Sequence, residues 1–162
     1  MKNLGFELNQ QIYNGLIRTY AGACGVPDVE SPHIETYVKD AWNLLDQMKE
    51  KDLPVNIQIL NSLLLLHKNA LFTQEIHEKV LPLYEKYKID PDIYTYQNLI
   101  MHYSDLNETG LVFQNYDILP ELDLKPNRVI MHTYLLESMK SKDIDRLVDA
   151  IENYQGSEHR SE

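Results

Sequence analysis

Apolar residues recur along this chain at helical spacing, in blocks divided by polar and helix-breaking stretches. In QQIYNGLIRTYA, residues Ile12, Tyr13, Leu16, Ile17 and Tyr20 fall three and four apart, which predicts one stripe of an amphipathic helix. A second helix is predicted over HIETYVKDAWNLLDQMKEK, with Ser31 as N-cap and Pro32 in the first turn. ILNSLLLLHKNA and QEIHEKVLPLYEKYK make the next pair, and Pro82 inside the latter removes a backbone donor and predicts a bend. Tyr96, Leu99, Ile100 and Tyr103 open a third pair, polar breakers follow at residues 104–110, and Val112, Tyr116 and Leu119 resume the spacing until Pro120 shortens the helix. VIMHTYLLESMKSKD and IDRLVDAIENY supply a last pair. The pattern is all-α throughout.

The pairs repeat. Residues 93–127 form a unit of 35 residues (helix, turn, helix, turn), and residues 57–92 form one of 36. Residues 10–56 make a longer unit of 47, whose excess lies in GACGVPDVESPHIETYV, with a loop predicted over residues 22–30. An insertion there maps to one edge of the stack, as decoration or as a partner contact. Residues 128–155 read as a partial fourth unit and residues 156–162 as a disordered polar tail. The opening MKNLGFELN aligns with MKEKDLPVN and PELDLKPN, so residues 1–9 read as the end of a truncated preceding unit and the chain as a piece of a longer array. Helical hairpins of this period cannot bury their apolar faces alone and stack into a solenoid. The units run on without linkers, which reads as one continuous domain.

The strings IYNGLIRTY, ILNSLLLLH and TYQNLIMHY, with second-helix string DAWNLLDQMKEK and closing strings IDPD and LKPN, make the chain resemble the pentatricopeptide repeat family over nearly its whole length. The tetratricopeptide pattern fits worse, because the single Trp, Trp42, falls in a second helix. The resemblance implies a right-handed α-solenoid that binds single-stranded RNA along first helices, about one base per repeat, in RNA processing, stability or translation. It also implies a mitochondrial matrix location, with a targeting sequence absent from this chain. In the family, a polar residue of the first helix pairs with the closing residue of the unit to select the base. Here the pairs are Asn14 with Asn56, Asn61 with Asp92, and Gln97 with Asn127. An amide offers both donor and acceptor to a base edge, and the closing residue can orient it. By the resemblance, Asn with Asp reads uracil and Asn with Asn a pyrimidine; Gln97 departs from the usual residues, and His132 holds the equivalent place in a unit without its closing residue. Gln11, Gln58 and Tyr94 would flank the bases, with Tyr94 able to stack, and Val129 restores the usual aliphatic residue in the last unit.

Charge pulls the other way. The chain has 162 residues, 43% hydrophobic and 25% charged, and a net charge of −10, unlike a protein coated in positive potential. Arg18, Lys68 and Lys140 are the first-helix candidates for phosphate, with Asp105 in the matching place of the third unit. The acidic balance favours an alternative reading as a non-catalytic scaffold for a basic protein partner or a ribonucleoprotein subunit. The truncated amino-terminal end predicts a second copy or an adjoining domain as partner. Cys24, the single cysteine, excludes an intrachain disulfide and sits where the loop is predicted, exposed and reactive. The histidines show no metal spacing, Glu35, Asp40, Asp46 and Glu50 read as a solvated face, and no phosphate loop, HExxH or nucleophile setting occurs. No enzyme, cofactor, metal or membrane span is expected, the longest apolar run being residues 63–66.

Overall fold

The computed structural model describes residues 9–26 and 31–158, apart from the side chains of residues 31–32 and 154–158. The expected closing turn of a preceding unit lies almost wholly outside the described residues. Described residues are helices and turns: α1 (Gln10–Cys24), α2 (Ser31–Glu50), α3 (Ile57–Asn69), α4 (Thr73–Glu75), a π-helical turn (Ile76–Val80), α5 (Leu81–Lys86), α6 (Ile93–Asp105), α7 (Thr109–Asp117), α8 (Arg128–Ser141) and α9 (Ile144–Glu158). Where the sequence reads as one continuous domain, the structure divides into two compact units, one through Asp90 and one from Pro91.

In the first unit α1 packs against both α2 and α3, and α3 packs in turn against α2, the π-helical turn and α5. Tyr13, Ile17, Leu45, Met48, Leu60, Leu63, Leu64 and Ile76 are fully buried between them. In the second unit α6 packs on α7 and α8, α7 on α8, and α8 on α9, around Ile100, Val112, Leu119 and Ile130. Each unit thus repeats one arrangement, in which a first helix contacts its own second helix and the next first helix. That is how a hairpin buries two apolar faces that it cannot cover by itself.

Helix ends carry the same period. Asn9, Asn56 and Asn127 each accept the backbone N–H three residues on, and Asp92 accepts from Tyr94 and Thr95 within a capping box. Helices end on residues in the left-handed region: Asp52, Leu71, Lys88, Asn107, Asp123 and Lys142, none a glycine. Lys88 follows Asp52 by 36 residues and Asp123 follows Lys88 by 35; Asn107 follows Leu71 by 36 and Lys142 follows Asn107 by 35. Leu53, Phe72, Ile89, Glu108 and Leu124 then return their N–H to a carbonyl five residues back, satisfying the last turn.

Three local readings need correction. Residues 22–24 are helical rather than loop, because Ala21 and Cys24 are buried against the unit and Asn69 Nδ2 donates to the Ala21 carbonyl at 2.8 Å. Packing there outweighs the low helix propensity of Gly22. Cys24 is accordingly 5% exposed, and burial raises its thiol pKa, the reverse of an activated nucleophile. At the other end, α9 continues through Glu158, into the segment expected as a tail. Before Pro82 the Leu81 N–H bonds the Ile76 carbonyl, which widens one turn into a π-helical one ahead of the proline. α7 stops at Asp117, short of Pro120.

Candidate nucleic-acid interface

The amides singled out in the sequence, Asn14 on α1, Asn61 on α3 and Gln97 on α6, are all half-buried, neither lost in the core nor loose in solvent. Each has its carbonyl oxygen engaged by a donor from the protein. Ser62 Oγ donates to Asn14 Oδ1 at 2.8 Å, Tyr84 Oη to Asn61 Oδ1 at 2.9 Å, and Asn127 Nδ2 to Gln97 Oε1 at 2.7 Å.

The last of these has a polarity that chemistry forces. Asn127 Oδ1 accepts the Ile130 backbone N–H at 3.0 Å, so the other end of that amide must be its amino group. The amino group needs an acceptor, which turns Gln97 Oε1 inward and leaves Nε2 as the end that can address a ligand. The closing residue therefore does two jobs, capping α8 and orienting Gln97.

The Asn14 and Asn56 pair differs. Asn56 caps α3 through Oδ1, and Asn14 is held by Ser62, with no direct bond between Asn14 and Asn56 among those described. Asp92 belongs to the second unit, where its Oδ1 accepts from the Tyr94 and Thr95 N–H groups. Recurrence of Asn or Asp at unit ends thus has a structural cause in capping. Tyr94, opening α6, is 60% exposed, and Gln11 and Gln58 are exposed at the equivalent places. Arg18 is exposed; Lys140 Nζ is instead tied to Glu137 at 2.6 Å, which weakens its candidacy for phosphate.

Ser62 and Tyr84 escape a reading of the sequence. Tyr84 looks like core, and it is buried; only its hydroxyl reaches the polar face. Ser62, directly after Asn61, carries a weak signal as a polar residue in an otherwise apolar helix.

Residues 43–105 match the family model described as a pentatricopeptide repeat domain. That segment, 63 of the 162 residues, is similar to pentatricopeptide repeats. No curated protein matches the chain. Among solved structures, this repeat protein is similar to the pentatricopeptide repeat domain of Arabidopsis thaliana protein-only RNase P 1, solved in complex with tRNA. The likeness has a TM-score of 0.69 at 14% identity and covers 94% of this chain and 74% of that one. The fold is that of a pentatricopeptide α-solenoid, and the matched segment runs from the middle of α2 through α6, taking in Asn61, Tyr84, Asp92 and Gln97.

Proposed function

We infer that this protein is a pentatricopeptide repeat protein that binds single-stranded RNA through the first-helix amides, about one base per complete repeat, as a non-catalytic reader that holds or masks an organellar transcript segment. The observation that carries the reading is the Asn127–Gln97 bridge, in which a capping residue fixes the polarity of an amide it does not need for capping. The RNA-bound state of the similar repeat domain supports the same class of ligand. Tyr94, exposed at the opening of α6, offers a ring for stacking, a contact worth roughly 1 to 3 kcal/mol per base.

The net charge of −10 favours the scaffold reading, so the experiment must separate the two. Fluorescence anisotropy with uridine-rich, cytidine-rich and adenosine-rich oligoribonucleotides at low salt is the direct measurement. Asn14→Ala, Asn61→Ala and Gln97→Ala are each expected to weaken binding by roughly two- to tenfold while the protein stays folded at the assay temperature, checked by its melting temperature. These variants are preferable to Asp92→Ala or Asn127→Ala, which also remove a helix cap worth about 1 kcal/mol. No affinity for any oligomer, or affinity untouched by the three substitutions, would leave protein docking as the function.

A further inference from the structure

We propose that a groove between α7 and α9 docks a basic segment of a protein partner, anchored there by an apolar side chain. The proposal is independent of the RNA-binding reading, because no wall of this groove comes from a first helix. Gly110, Phe113, Gln114, Asp117, Ile118 and Glu121 fall at i, i+3, i+4, i+7, i+8 and i+11, so one face runs from α7 into the turn after it. Arg146 of α9 closes the far side. The groove holds about 550 Å³, room for side chains of a ligand rather than for a few waters.

The chemistry of the walls selects the occupant. Phe113 and Ile118 give an apolar floor, with Ile118 still 37% exposed. Arg146 is committed within the protein: its two terminal nitrogens donate to the two oxygens of Asp117 at 2.9 and 2.8 Å, and its guanidinium lies 4.3 Å from the centre of the Phe113 ring. It is therefore a wall of the groove and not a receptor for an anion.

The flanking sequence is acidic on both sides. Residues 109–123 hold three carboxylates and no lysine or arginine, and residues 143–153 hold four carboxylates and Arg146 alone. Such a surface repels RNA phosphate, and the chain's net charge of −10 opposes a second copy. A lysine- or arginine-bearing segment meets the opposite field. Its cations are drawn to Glu121, exposed at the end of the groove, and to its acidic neighbours, while an apolar side chain between them lies on Phe113 and Ile118.

The test is fluorescence anisotropy of the full chain with a labelled decapeptide of lysine, leucine and serine, and with a control decapeptide in which serines replace the leucines. The leucine-bearing peptide is expected to bind about tenfold more tightly. Gly110→Leu fills the groove from its own wall: a Cβ there meets nothing within 4 Å and the backbone φ is not positive, so the fold accommodates the change. It should weaken that peptide by about tenfold or more. Glu121→Lys should weaken it by about five- to tenfold, whereas Glu50→Lys, the same change in net charge at an exposed site on α2, should leave it within about twofold. That pair of charge reversals decides the matter by itself should Gly110→Leu lower the melting temperature. Equal affinity for the two peptides, equal loss in Glu50→Lys and Glu121→Lys, binding unmoved in a folded Gly110→Leu, or no binding by the wild type overturns the proposal. So does a concentration-dependent dimer in sedimentation velocity that Gly110→Leu abolishes, which would make a second copy the occupant.

Discussion

Leu71 shows what a single residue concedes to the architecture. Its φ of 60° lies in the left-handed region and its side chain is 67% exposed, so the position bears backbone strain with little packing in return. Leu71→Gly should therefore stabilise the protein by about 1 kcal/mol and raise the melting temperature by roughly 2 to 4 °C, read by differential scanning calorimetry. His67 makes the opposite kind of contribution. It is fully buried; Trp42 Nε1 donates to its Nε2 at 3.2 Å, which puts the ring proton on Nδ1, 2.8 Å from the Leu63 carbonyl. Burial, the largest influence, holds its pKa below 6.5, against the opposing pull of the Leu63 carbonyl and Glu75. The unfolded chain then binds a proton that the folded one refuses, so this contribution is complete above about pH 6.5 and is lost as pH falls toward the depressed folded value. Urea midpoints followed by the fluorescence of Trp42 should drop between about pH 7.5 and 5.5, and drop less in His67→Gln.

Between elements, the second unit is pinned by a carboxylate that reads as surface. Glu137 in LLESMK looks like part of a solvated face, yet it is fully buried and accepts from Ser104 at 2.7 Å, Thr109 at 2.6 Å and Lys140 at 2.6 Å. Burial pushes its pKa up, but the hydrogen bonds from Lys140, Thr109 and Ser104 together outweigh burial and leave it below the usual carboxylate range. Its stabilisation is thus present above the unfolded carboxylate pKa and lost as pH falls through the lower folded value. One side chain ties α8 to α6 and to the start of α7. Glu137→Gln should cost about 2 kcal/mol in urea unfolding at neutral pH, against almost nothing for Asp145→Asn on the exposed start of α9. Capping works on the same scale, and it shows why unit-end residues are poor probes of recognition: their loss frays a helix before it touches a ligand.

At the scale of the whole molecule, the acidic balance governs how RNA could be held. With Lys140 committed to Glu137, Arg18 and Lys68 lead the first-helix candidates for phosphate. Single-stranded binding loses about 0.7 in log–log slope per neutralised phosphate, so two or three contacts give a slope of about −1.4 to −2.1. Affinity should then fall roughly tenfold between about 50 and 200 mM salt. A slope steeper than about −4 would show that basic surface elsewhere in the chain takes part, and that the amides are not the main attachment.

Helix periods, repeat length and the identity of the candidate amides were all legible from residue order, because i, i+3, i+4 spacing and turn residues are local properties of the chain. That Pro82 would disturb its helix was legible for the same reason, since a missing N–H is a property of one residue. Other features depended on what lies across a helix interface. Gly22 to Cys24 became helix because packing buried that turn, Glu137 became buried because three donors converge on it, and Cys24 lost its exposure to the same packing. Above all, Ser62, Tyr84 and Asn127 reach the three amides from 48, 23 and 30 residues away. The residue order names an amide, but the partner that holds it is brought from a distant part of the chain by helix packing, as Asn127 is to Gln97.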